Sequence, residues 1–166
     1  EAPEVFSSET ISLTRLVFES LELLQAAANS RNVVFHIVNH APAAQLDVKV
    51  ELLRLALVNL LLNAMTFGVA SADGKIDVTV RTSRQGECLE VAVENVGSPV
   101  HPDEMQHLFS PGYRGRDGLR KATKGSGYGL YLVKRAAIEL RGDALVTSTP
   151  IRSTAHEGES FIPHYF

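Results

Sequence analysis

Apolar residues at Leu13, Leu16, Val17, Leu21 and Leu24 recur at the three-and-four spacing of a helix that buries one side. Ser12 stands just before them, where a hydroxyl can accept from the first free backbone N–H groups, so a helix is predicted from Leu13 to a point between Asn29 and Asn32. Val33 to Val38 is β-branched and aromatic and gives way to a loop containing Pro42, the pattern of a strand; a short strand around Leu46 to Val48 follows. Leu52 to Phe67 is apolar on nearly every side, as in a helix packed on more than one face, interrupted by Arg54, Asn59, Asn63 and Thr66. Alternation over Ile76 to Thr82 and Leu89 to Asn95 predicts two antiparallel strands joined by a turn at Arg84 to Glu87. Pro102 to Phe109 is predicted as one short helix and Ser110 to Ser126 as a long, mobile, basic loop. Tyr128 to Leu140 returns to helical spacing and is stopped by Gly142, and Ala144 to Thr149 and Ser160 to Phe166 are expected to close the chain as strands.

Composition narrows the class without naming a function. The 166 residues fit a single domain spanning 1–166, and 45% hydrophobic with 21% charged residues is ordinary for a globular protein. A net charge of −3 gives no global reason to expect nucleic acid or a membrane surface as partner. No apolar run approaches the ~20 residues of a membrane-spanning helix, and Glu1-Ala2-Pro3-Glu4 is unlike the start of a signal peptide, so a cytoplasmic location without direct membrane contact is expected. The single cysteine, Cys88, excludes a disulfide framework and is expected to be a small buried hydrophobe.

The chemistry lies in polar interruptions of these elements. Asn59 and Asn63 are four apart on the apolar helix, so their amides share a face. They can cap neighbouring loops inside the core, or serve as neutral oxygen ligands for a magnesium ion that bridges nucleotide phosphates. Gly125-Ser126-Gly127-Tyr128-Gly129-Leu130 places bare backbone N–H groups at the start of a helix, where they can meet phosphate oxygens or merely allow close packing. Its spacing is neither that of a P-loop nor that of a dinucleotide fingerprint. At the end of a strand, Asn95 can accept from the exocyclic amine of adenine and Gly97 can let the base approach the backbone, though an ordinary strand exit has the same composition. Arg114, Arg116, Arg120, Lys121 and Lys124 between these motifs form either a solvated run or a lid that closes on phosphates.

Taken in order, Asn59-Leu60-Leu61-Leu62-Asn63-Ala64, Asn95-Val96-Gly97, Leu108-Phe109-Ser110-Pro111-Gly112-Tyr113-Arg114 and Gly125-Ser126-Gly127-Tyr128-Gly129-Leu130 resemble the N, G1, F and G2 boxes of histidine kinase catalytic domains. The resemblance covers nearly the whole chain. It implies the fold shared with gyrase, Hsp90 and the mismatch-repair ATPases, an α/β (α+β) two-layer sandwich: a mixed, largely antiparallel sheet, helices on one face, and a mobile ATP lid over about residues 110–126. By the same resemblance the cofactors are ATP and Mg2+, with Asn63 matching the magnesium ligand and Asn59 a second polar position near the phosphates. Gly125, Gly127 and Gly129 match the glycines of the lid hinge, with Leu130 following them, and Tyr113 and Arg114 match an aromatic–arginine pair that steadies the transferring phosphoryl group.

Three positions depart from the pattern. Asn95 replaces the usual aspartate, Pro99 the second glycine of that box, and Thr66 a frequent lysine, so that Lys124 or the lid arginines are left to supply the missing cation. The hydrolytic relatives resemble one another in carrying a glutamate base where Asn59 stands, and an amide cannot take that role. The resemblance therefore implies a protein histidine kinase domain that transfers the γ-phosphoryl group to a histidine on a separate dimerisation/phosphoacceptor domain, and through it to a response regulator. None of His36, His40, His101, His107, His156 or His164 has the context of that acceptor, and without the dimerising hairpin a monomer is expected. A degenerate nucleotide-binding or non-binding transmitter module and a serine kinase of the anti-sigma-factor type stay open as alternatives.

Overall fold

The computed structural model describes residues 8–98, 100–116, 125–151 and 160–165. Helix α1 (Leu13–Ser30) starts as its pattern requires: the Ser12 hydroxyl accepts from the Arg15 N–H at 3.4 Å, and Leu13, Leu16, Val17, Leu21 and Leu24 are all buried. Before it lies a strand that the sequence pattern did not suggest, β1 (Glu9–Ser12), antiparallel to the short β3 (Gln45–Val48) as a separate two-stranded ribbon.

The main sheet contains β2 (Val33–Asn39), β4 (Ile76–Gln85), β5 (Cys88–Asn95), β6 (Val146–Ile151) and β7 (Ser160–Tyr165) in the order β2-β4-β5-β7-β6. Only β2 and β4 run parallel; the other neighbours are antiparallel, so the sheet is mixed and mostly antiparallel as expected. Its strands alternate between two faces. Phe35, Val78, Val80, Thr82, Val91, Val93 and Asn95 fall on one face by register, and the helices cover that side. The open face carries polar pairs instead, His36 with Asp77 at 2.6 Å and Arg81 with Glu94 at 3.2 Å.

Helix α2 (Val50–Phe67) runs through the helical layer and packs against α1, β4, β5 and α4 (Gly129–Glu139). By length and a mean hydropathy of 1.5 it could cross a membrane. Its buried Ala56, Leu57, Leu60, Leu61, Ala64 and Met65 instead make it the central core helix, the other origin of such a composition.

Three expectations are corrected. Cys88 is exposed, because it opens β5 opposite Gln85 at the outer end of the β4–β5 hairpin. Helix α3 spans only Pro102–Met105, and turns carry the chain on to Phe109. At the end of α4 the left-handed residue is Arg141, with φ of 60°, rather than Gly142; the Gly142 N–H closes the helix on the Ala137 carbonyl at 2.8 Å.

Candidate functional site

A cavity of about 490 Å³ opens between α2, the end of β5, the segment after α3, the start of α4 and the last turn of α1. That is the size of a small-ligand pocket. Asn59, Asn63 and Thr66 reach it from successive turns of α2, as their spacing demands. Both asparagines are half-buried rather than buried, because the face they share is the cavity wall itself. The Asn59 amide nitrogen donates back to the Leu55 carbonyl at 2.8 Å, which leaves its oxygen for the cavity side. There it meets α4: a Cβ built on Gly129 would lie 3.2 Å from it.

The glycine-rich turn is bare for two separate reasons. Gly127 has φ of +76°, and a Cβ there would come within 2.6 Å of the Gly112 carbonyl group and 2.7 Å of the Tyr113 oxygen, so the two ends of the basic loop cross backbone to backbone at this residue. Among the described residues nothing lies within 4 Å of a Cβ built on Gly125, so none of them explains its missing side chain. Tyr128, the residue before α4, gives no side-chain cap, so the first N–H groups of this 11-residue helix and the positive end of its dipole face the cavity rim at Gly129 and Leu130.

The wall opposite α2 is organised by Glu104, which is buried although it lines the cavity. Its Oε1 accepts from the Arg116 backbone N–H at 2.8 Å and from the Tyr113 hydroxyl at 3.3 Å, and its Oε2 accepts from the His101 N–H at 3.3 Å. The carboxylate thus ties both ends of the segment from His101 to Arg116 to one point. Burial, reinforced by the charge of Glu104, pushes the Tyr113 phenol above its ordinary pKa. Tyr113 and Arg114 are half-buried and both line the cavity. Arg116 is drawn outward to Asp103 at 2.5 Å, while Lys124, Arg120, Lys121, Pro99 and His156 lie outside the described residues.

Asn95 and Gly97 stand differently from one another. Gly97 lines the cavity, but its glycine is already required by α2: a Cβ would lie 2.9 Å from the Phe67 carbonyl oxygen, where Gly97 and Gly68 bridge strand end to helix end. Asn95 is buried on the helix-covered face of β5 and is not among the cavity-lining residues. Its Nδ2 donates to the Val96 carbonyl at 3.2 Å, and its Oδ1 has no partner among the described residues. A buried oxygen without a donor costs roughly 1–3 kcal/mol, and an amine donor such as the 6-amino group of adenine would satisfy it.

Motif reading overlooked Glu104 and Arg31. The first had a signal, since a Pro directly after a possible N-cap, with an acid three residues after that cap, is a helix-start pattern. The second, on the last turn of α1, lines the cavity together with Ala27 one turn earlier. Among the described residues no group of three or more His, Cys, Asp or Glu side chains could hold a metal. The cavity wall offers neutral amide groups at Asn59 and Asn63, a ligand type compatible with a magnesium ion that phosphate oxygens hold.

Comparison with known proteins agrees with this geometry. The profile of the family described as Histidine kinase-, DNA gyrase B-, and HSP90-like ATPase matches residues 48–163, and the chain belongs to that family. Sensor histidine kinase CusS of Escherichia coli (strain K12) is 30% identical over 138 residues, which are 83% of this chain and 28% of that protein. The chain thus spans less than a third of the curated relative it matches. Among solved structures, a mycobacterial sensor histidine kinase, MprB, superimposes with a TM-score of 0.76 at 22% identity over 95% of each chain. Full-length ShkA, solved in complex with AMPPNP, gives 0.72 at 19% identity over 99% of this chain and 31% of its own.

Proposed function

We propose that this domain binds Mg-ATP and donates the γ-phosphoryl group to a histidine imidazole on a separate dimerisation/phosphoacceptor domain, feeding a response regulator in two-component signalling. The observation that carries the reading is the α2 face: Asn59 and Asn63 share one cavity with the N-terminus of α4 and with Arg114, and Asn59 stands where a hydrolytic relative would need a base. An imidazole nitrogen would attack the γ-phosphorus as the bond to the β-phosphate oxygen breaks and ADP leaves. Little else is asked of the protein than alignment and charge neutralisation. Bound Mg2+, held by Asn63 and the phosphates, would supply part of that neutralisation.

Family membership and the AMPPNP complex of ShkA support nucleotide as ligand. The orphaned Asn95 oxygen supports adenine as its base, and Gly97, Tyr113, Lys124, Gly125, Gly127, Gly129 and Leu130 complete the proposed ATP site. We place residues 1–166 as one cytoplasmic catalytic domain, monomeric when isolated.

Two measurements test this. Calorimetry should show Mg-ATP binding that Asn63→Ala weakens at least about tenfold, the equivalent of ~1.4 kcal/mol. Incubation with labelled ATP and a separately supplied phosphoacceptor domain should give an acid-labile phosphohistidine; an acid-stable phosphoserine would point to the serine kinase reading. Failure of the parent domain to bind Mg-ATP would sink both readings and leave the transmitter module.

A further inference from the structure

Among the described residues two cations line the cavity from outside the four box motifs, Arg116, which is paired with Asp103, and Arg31. Arg31 ends α1 as its C-cap residue, and Asn32, with φ of 57°, turns the chain directly into β2. The junction is pinned from both sides: the Ile76 N–H donates to the Asn32 carbonyl at 3.0 Å, and the Asn32 amide donates to the Gly74 carbonyl at 2.8 Å. From this fixed base the Arg31 guanidinium crosses to the last turns of α2, where one nitrogen lies 3.4 Å from the Met65 carbonyl oxygen and 3.3 Å from the Thr66 hydroxyl.

Those partners are neutral. Arg15, Arg54, Arg81 and Arg116 each meet a carboxylate, but among the described residues Arg31 does not. A guanidinium keeps its charge at any working pH and carries five N–H donors, more than these two long contacts use. It also sits on the cavity wall beside Thr66, the next position along the α2 face that carries Asn59 and Asn63. Thr66 is the place where the box pattern would otherwise put a cation. The charge missing from α2 is thus present a few ångströms away, delivered by a neighbouring helix.

We infer that Arg31 is the cation on this side of the cavity that meets the phosphate chain of the bound nucleotide, in place of the lysine absent at Thr66. The inference rests on the proposed nucleotide site and adds a phosphate-binding residue to it. A competing role for Arg31 is purely structural. A cation near the C-terminal carbonyls of α2 is favoured by the helix dipole, and such a cap would support the fold without touching ligand.

Calorimetric titration of the whole domain with Mg-ATP, alongside thermal unfolding without nucleotide, separates the two. Arg31→Gln keeps a donor for the Met65 carbonyl but removes the charge, and should weaken Mg-ATP about tenfold or more. Arg31→Lys should stay close to the parent, and Arg31→Gln combined with Thr66→Lys should recover most of the lost affinity. The inference is overturned if Arg31→Gln binds Mg-ATP as the parent does, or if it unfolds at lower temperature and neither lysine variant restores binding. A parent domain that binds no Mg-ATP would overturn the nucleotide site itself, whereas binding that ignores Arg31 would overturn only this step.

Discussion

Helix α2 offers its asparagines from an element whose other sides are filled by Leu57, Leu60, Leu61 and Ala64, whereas the wall facing it, from His101 to Arg116 and from Gly125 to Tyr128, is held by a buried carboxylate and a bare glycine crossing. Burying one such leucine is worth roughly 1.5–3 kcal/mol, and several on α2 act together. The Glu104 hydrogen bonds are worth roughly 1.5–3 kcal/mol each at best, charged as they are. The two walls should consequently fail in different ways. Damage to the core of α2 should unfold the domain, and damage to the other wall should misplace it while the domain stays folded.

Gly127→Ala, set beside Leu61→Ala, tests that contrast most severely. The new methyl at Gly127 would meet backbone atoms at 2.6 to 2.7 Å in a left-handed conformation, which costs roughly 2–4 kcal/mol and is relieved only if the loop ends part. Mg-ATP affinity should fall at least about thirtyfold by calorimetry, using that energy range, with a small change in the urea midpoint. Leu61→Ala should instead cost the whole fold about 2–5 kcal/mol in the same denaturation experiment. If Gly127→Ala lowers the midpoint as far as Leu61→Ala does, the walls are not separate and the contrast is wrong.

A smaller effect is expected at Asn95, buried on the helix-covered face of β5 two residues before the cavity-lining Gly97. Asn95→Leu removes the unpartnered oxygen from a buried position, so the domain without nucleotide should keep its stability or gain about 1 kcal/mol, read from the denaturation midpoint. Nucleotide affinity should drop about tenfold, because the adenine amine would lose its acceptor. Loss of stability without loss of affinity would mean that Asn95 serves the sheet and not the base.

How far the sequence could be read follows the same division. The one-sided period of α1 and the all-round apolarity of α2 were legible because burial writes directly into spacing. Strand β1 was not: Glu9–Ser12 has little pattern of its own and is held by its ladder with β3, some 35 residues later. The asparagine pair and the glycine turn were legible as candidate site residues because they interrupt strong patterns, and they line one cavity. Their physical reasons were less so, since Gly97 and Gly127 are bare for backbone crossings visible only in three dimensions. Arg31 acts 35 positions from Thr66, and no local spacing connects them. For Glu104 the sequence carries only a helix-start signal, and its three donors come together only in the fold.

The smallest effect concerns the tie between Glu104 and Tyr113, and its sign can be worked out. The native phenol holds its proton more tightly than the unfolded chain does, first through burial and then through the charge of Glu104. Below the ordinary tyrosine pKa of about 10 both states are protonated and this group adds no pH dependence. As pH rises beyond that, the unfolded state loses its proton first and the native state is destabilised progressively until the native pKa is passed. Glu104→Gln removes the charge but leaves the burial, so the phenol should titrate at lower pH than in the parent while staying above the ordinary value. Phenolate absorbance, taken as a difference against Tyr113→Phe, reads that shift directly. An unchanged titration in Glu104→Gln would show that the carboxylate does not press on the phenol, and its hold on this wall would then rest on the His101 and Arg116 N–H groups.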